Sequence, residues 1–168
     1  FETTDLYNLA SQVGSTKVSA THLRAKVQPA DLCIMNPPYT RNTNHEGERA
    51  SDALPAFAAF GLSAKAQKTM GLRLKELSRG SFAHGNAGIA SHFLVLADKM
   101  TKPGGTMALV LPLAFLMGAS WEDAREAIAQ RYSDLIVVTI SGVKDREIGF
   151  SADTGMGECL LVARKVPP

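Results

Sequence analysis

Long apolar runs, metal-ligand clusters and a glycine-rich phosphate loop are all missing from this sequence of 168 residues. No stretch approaches the ~18 apolar residues that span a bilayer, so no membrane anchor is expected. Cysteine is scarce, with only Cys33 and Cys159. Neither has a histidine nearby, which excludes a zinc spacing, and a pair so placed is no disulfide framework. Each lies in an apolar, strand-like run and reads as a small buried core residue in a reducing, cytoplasmic setting. The histidines, His22, His45, His84 and His92, have no metal-ligand spacing to one another or to acids, so no metal is expected. No Ser–His–Asp or Cys–His arrangement is readable. The net charge of +2 is too small to announce a nucleic-acid binder by itself. The chain opens on Phe1 without a charged-then-apolar leader, which reads as a segment of a longer polypeptide.

What is present describes an ordinary globular domain. The apolar share is 45% and mean hydropathy is −0.01, enough to bury a core at this length. Three apolar runs predict strands at about 31–36, 106–111 and 135–140, and a fourth falls at 158–164. The first three do not alternate polar with apolar, a pattern that predicts strands covered on both faces. Helices are expected between them. One runs from Asn86, as N-cap, to Met100 and stops at Lys102-Pro103-Gly104-Gly105. Another runs from Ser120, with Asp123 completing a cap, to about Arg131, and Trp121, Ala124, Ile128 and Tyr132 form its apolar side. A third helical region at 52–77 is broken near Gly61 and Gly71. The order predicts an α/β sheet flanked by helices. Positive charge gathers at Lys65, Lys68, Arg73, Lys75 and Arg79, against the single acid Glu76. That stretch reads either as a solvated helix face or as a phosphate-contacting one.

One segment carries chemistry. Asp31-Leu32-Cys33-Ile34-Met35 is an apolar strand that runs directly into Asn36-Pro37-Pro38-Tyr39. In open α/β sheets, ligands bind beyond the carboxyl ends of strands, where this loop falls. Asn36 offers a side-chain carbonyl as acceptor. The two prolines fix φ and remove two N–H groups, so the loop presents carbonyl oxygens in a set direction. Tyr39 adds a flat face. A planar exocyclic amine, such as N6 of adenine, is a weak nucleophile because its lone pair is delocalised. Asn36 Oδ1 and the Pro37 carbonyl can together hold its two N–H groups and favour a pyramidal nitrogen aimed at an electrophilic methyl. A base inside a duplex must be flipped out first, and the Tyr39 ring can then stack on it.

Asp31 to Arg41 resembles motif IV of the N6-adenine DNA methyltransferases, members of the class I S-adenosylmethionine-dependent fold found in restriction-modification systems. The resemblance extends more loosely through the Lys-Pro-Gly-Gly stop, the strand ending Leu111-Pro112, Phe115, the helix from Ser120 and the closing strand to Lys165. It implies a partial Rossmann-like methyltransferase sheet whose last strand is antiparallel, with a helical insertion at about 40–85. The whole chain, 1–168, is then the C-terminal portion of a catalytic domain. It implies Asn36, Pro37, Pro38 and Tyr39 as catalytic residues. It also implies Phe150 as a second clamp on the adenine, although a core phenylalanine at a loop end is an equal alternative. Asp5 is the corresponding acid toward the cofactor's adenine, at a longer spacing from Asn36 than is usual. Lys68, Arg73 and Lys75 are candidates for the DNA backbone. S-adenosylmethionine is the implied cofactor, and DNA, with a specificity or nuclease subunit or domain, the implied partner.

The family's Gly-rich turn after its first strand has no counterpart here, since Gly155-Met156-Gly157 reads as a turn before a late strand. The expectation is a segment that carries the substrate half of a site and binds cofactor weakly. Rival expectations are methylation of a protein glutamine N5 or of guanine N2 in ribosomal RNA, which pose the same lone-pair problem, or a non-catalytic DNA- or partner-binding module. The long insertion after the motif favours the DNA-directed group.

Overall fold

The computed structural model describes residues 28–37, 39, 72, 75–140 and 157–167. The chain divides into two units, Phe1–Gln28 with Thr43–Glu76, and Pro29–Asn42 with Leu77–Pro168. Of the first, only Gln28, Leu72, Lys75 and Glu76 are described, and the last three are helical. The second unit holds most of the described residues.

Its elements run β1 (Ala30–Met35), α1 (Ile89–Met100), β2 (Thr101–Pro112), α2 (Ala114–Met117), α3 (Glu122–Arg131), β3 (Tyr132–Thr139) and β4 (Glu158–Lys165), with 3₁₀ turns at Gly85–Ala87 and Ala119–Trp121. The four strands form one sheet in the order β1-β2-β4-β3. β1 and β2 are parallel, while β4 lies antiparallel to both β2 and β3. Strands β1, β2 and β3 therefore point the same way, and β4 enters the sheet from the edge where they end.

The predicted strands are all present, with shifted bounds. β2 begins five residues earlier than its apolar run, because Thr101 already pairs with Ala30 before the Lys102–Gly105 segment swings out. Two residue steps on β1, Ala30 to Leu32, then face five on β2, Thr101 to Thr106. Gly105 sits inside this irregularity: a Cβ there would stand 2.9 Å from the carbonyl oxygens of both Asp31 and Lys102. Gly104 takes φ +77° with open space around it. Lys102 also pairs with Asp31 across the ladder.

Two caps differ from expectation. Asn86 does not cap a helix; it lies within the first 3₁₀ turn, and its N–H donates to His84 Nδ1 at 3.2 Å. Gly88, at φ +75°, breaks that turn from α1, which starts at Ile89. Ser120 likewise falls in the second 3₁₀ turn, and α3 starts at Glu122 without a side-chain cap. In both cases the polar residue sits one short turn too early, and tighter i→i+3 bonds satisfy the first amides instead.

One core unites the second unit. Met107, Leu109 and Leu111 of β2 alternate inward with Cys159, Leu161 and Ala163 of β4, opposite one another in register. Cys33 joins them from β1. Ala90, Leu94, Val95 and Ala97 of α1 cover this face, together with Ala124, Ala127 and Ile128 of α3. Trp121 and Tyr132, expected on the apolar side of one helix, are buried with them, although Tyr132 is the first residue of β3. Trp121 meets Phe115 edge to face, ring centroids 5.6 Å apart. Both cysteines are buried and unpaired.

Among the described residues, the apolar strands are not covered on both faces as expected. Leu32 and Ile34 of β1 are 54% and 70% exposed, and Ile136 and Val138 of β3 lie open on the same face of the sheet. The apolar runs of β1 and β3 therefore exceed what the described helices bury.

Opposite the strand ends, a polar clasp closes the fold. Asp98, near the end of α1, is buried and accepts from Arg131 Nη1 and the Tyr132 hydroxyl, each at 2.9 Å. Lys165 Nζ stands 3.1 Å from its Oδ1 and donates to the Asp98 and Thr101 carbonyls. One carboxylate thus ties α1 to the start of β3 and the end of β4. Burial, then the Asp98 charge, pushes the Tyr132 phenol well above its usual value of 10.0.

Two predictions follow from this packing. Gly105→Ala should cost about 2 kcal/mol in urea unfolding, more than Gly104→Ala at about 1 kcal/mol, because the first meets backbone on two sides and the second only backbone strain. For Tyr132, the folded state holds the proton more tightly than the unfolded one. Its contribution is therefore whole below about pH 10 and declines as pH rises further. Tyr132→Phe should flatten that alkaline loss of stability in pH-dependent unfolding.

Candidate functional site

Parallel pairing determines where the loops emerge. Met35 stands level with Leu109, so the segment after β1 and the segment after β2 leave the sheet side by side at one edge. The first residues of β4 lie at that edge too, with Glu158 opposite Pro112.

After β1, Asn36 is exposed, Pro37 is buried and Tyr39 is half-buried, packed against the core. The buried proline is consistent with its chemistry, since it brings no N–H that burial would leave without a partner. Tyr39 curls back so that its hydroxyl donates to Asn36 Oδ1 at 3.2 Å. The structure thus brings the acceptor and the aromatic ring of the motif together. Pro38 lies outside the described residues.

The segment after β2 is fastened from several sides. Leu113 N–H donates to the Gly157 carbonyl at 2.7 Å, binding it to the residue that precedes β4. Gly118 N–H closes α2 on the Ala114 carbonyl, also at 2.7 Å. A Cβ at Gly118 would fall 2.6 Å from that same oxygen. Arg125 of α3 reaches back, and its Nη1 donates to the carbonyls of Phe115 and Gly118 at 2.9 and 2.8 Å. Phe115 is buried beneath the segment, whereas Met117 is 86% exposed at its tip. Leu113 and Leu116 pack partly against the core.

Glu158 is buried at this edge. Its neighbour Cys159 has its thiol pushed up to about 11, first by burial and then by the Glu158 charge. Burial likewise raises the Cys33 thiol. Both shifts disfavour the thiolate, which is the nucleophilic form.

Of the residues singled out in sequence, Asn36, Pro37 and Tyr39 form one loop. Asp5, Lys68, Arg73 and Phe150 lie outside the described residues. Lys75 is exposed on a helical residue of the first unit. His92 lies in α1, bonded through Nδ1 to Ser78 Oγ in a buried contact, and His84 caps a turn. Among the described residues no group of His, Cys, Asp and Glu could hold a metal, and no helix is long and apolar enough to cross a membrane. Sequence reasoning missed Arg125 and Glu158. The signal for Glu158 was a charged residue opening an otherwise apolar strand. Arg125 gave none, because a helix-surface arginine declares its partner only once the chain has turned.

Among the described residues no glycine-rich turn follows a strand: Gly104 and Gly105 precede the regular part of β2, and Gly157 precedes β4.

No family model and no curated protein matches the chain. A solved structure, described as a cryoEM structure of a DrdV–DNA complex, matches 82% of it at 18% identity with a TM-score of 0.52. That likeness is one of fold. The chain spans about 14% of the length of the chain it matches.

If Arg125 holds the segment after β2, Arg125→Met should speed amide hydrogen exchange over 114–119 by about tenfold, on the scale of one or two lost hydrogen bonds. Exchange in β2 and β4 should not change.

Proposed function

We propose that this chain supplies the amine-binding half of an N6-adenine DNA methyltransferase, acting within a longer protein. The observation that carries this reading is the loop itself. Asn36, Pro37 and Tyr39 stand at the carboxyl end of a parallel strand, with an exposed amide acceptor beside a ring anchored on the core. Such an arrangement suits a planar amine, whose two N–H groups need two fixed acceptors and whose ring needs a flat neighbour.

The work of these residues is alignment. Asn36 Oδ1 and the Pro37 carbonyl each accept one N–H of the amine, which favours a pyramidal nitrogen with its lone pair directed away from the acceptors. Tyr39 stacks on the flipped ring and keeps it from rotating. No strong base is required, because the nitrogen can release its proton after the new bond has formed. S-adenosylmethionine is the methyl donor that the resemblance implies, with Asp5 as a residue toward its adenine.

Three further points support the reading. β4 is antiparallel, as the resemblance implies for the last strand. The solved structure sharing the fold is a DNA complex and a much longer chain. The open apolar face of β1 and β3 suits a sheet that continues into further covering elements. In this reading DNA is the partner, with Lys68, Arg73 and Lys75 as contacts to its backbone.

The test is a methylation assay on the full-length protein with adenine-containing duplex, ribosomal RNA and release-factor protein as competing substrates. Label should enter duplex DNA at adenine N6, and Asn36→Ala should lower that rate by at least 100-fold without loss of fold. Methylation of RNA or protein instead would reassign the substrate, and a wild-type rate in Asn36→Ala would remove the mechanism.

A further inference from the structure

We propose that Met117 is an apolar wedge that enters the base stack beside the flipped nucleotide, an inference that rests on reading the neighbouring loop as a site for a base taken out of duplex DNA. Placement comes first. Met35 of β1 stands level with Leu109 of β2, and paired strands lie about 4.8 Å apart. The segment that runs on from β2 through α2 therefore leaves the sheet beside the loop that holds Asn36. Met117 is the last residue of α2 and, at 86%, the most exposed large apolar residue among those described. Its neighbours go the other way: Phe115 is buried, and Leu113 and Leu116 pack against the core.

The backbone under this exposed side chain is tightly fastened. Leu113 N–H donates to the Gly157 carbonyl, and Leu116 N–H to the Leu113 carbonyl at 3.0 Å. Gly118 N–H closes the turn on Ala114, so closely that only a residue without a Cβ fits there. Arg125 Nη1 holds the carbonyls on both sides of the tip, those of Phe115 and Gly118. A wedge on a yielding loop recoils from a base step, whereas one fastened on both sides passes the load to the core.

The chemistry of the tip selects what it meets. Contact with phosphate asks for a cation or an N–H donor, and contact with base edges for hydrogen-bonding groups. An unbranched thioether offers neither, but it is apolar, polarisable and adaptable, which suits the flat faces of bases. Taking one base out of the stack exposes the faces of its neighbours to water. An apolar side chain inserted there covers them and holds the opened state.

The experiment uses the full-length protein and the duplex it methylates, with single-turnover methylation as one readout and 2-aminopurine at the target position to report flipping. Met117→Ala should lower the methylation rate about 10-fold, the scale of one large apolar contact, and weaken the 2-aminopurine signal. Met117→Leu should keep both near wild type. The melting temperature should not change in either variant, because the side chain is exposed. On a duplex whose target adenine faces an abasic site, no pair has to be broken, and Met117→Ala should methylate at the wild-type rate. A wild-type rate on the paired duplex in Met117→Ala overturns the proposal. So does an equal loss on the unpaired duplex, which removes Met117 from the opening step. Asn36→Ala separates this failure from that of the underlying reading: methylation at the wild-type rate in that variant overturns the amine site itself.

Discussion

The parallel pairing of β1 with β2 is the constraint on which the rest of the second unit depends. It fixes both strands' carboxyl ends at one edge, so two loops far apart in sequence become neighbours. The pairing is irregular at its start, where four residues of β2 swing out between Thr101 and Thr106 and Gly105 lies almost in contact with the β1 backbone. Beyond that point the register runs evenly to Met35 opposite Leu109 and delivers the motif loop at a defined height. β4 then closes the other flank of β2 in the opposite direction, and its first residues meet the segment after β2 through the Leu113–Gly157 bond.

The two ends of the sheet are built by different means. At the end remote from the loops, Asp98 gathers Arg131, Tyr132 and Lys165, and this polar cluster joins two helices to two strands. Buried charge of this kind is costly unless every partner is in place, so it acts as a specific lock more than as a large net gain. At the loop end, backbone carbonyls are held by Arg125 and by short turns. Rigidity there comes from many modest bonds around an exposed rim, a construction suited to a surface that receives a ligand.

Several features of this design were legible in the residues. The four apolar runs marked the strands because continuous β-branched and aliphatic stretches of that length are poor helix stripes. Cys33 and Cys159 read as core for the same reason, and both are buried. The caps were not legible. Asn86 and Ser120 have the right chemistry for helix starts, but 3₁₀ turns place them one turn early, and a backbone choice between i+3 and i+4 bonding leaves little trace in side-chain type. Cover on both strand faces was not legible either: among the described residues the outer face of β1 and β3 is open, since an apolar run records what a strand can bury and not what is there to bury it.

What the sequence determined by itself was chemical. Two consecutive prolines after an asparagine remove the local N–H donors whatever the fold, and a tyrosine at the third place supplies a ring and a hydroxyl. Strand order lay beyond it, because β4 could have joined either edge with the same pattern of residues. Only the tertiary structure decided that β4 inserts between β2 and β3, and that Tyr39 turns back onto Asn36 while packing on the core. The physical reason is that pairing partners are chosen by the summed burial of whole elements, whereas the acceptor, the missing donors and the flat ring are properties of single residues that travel with the chain.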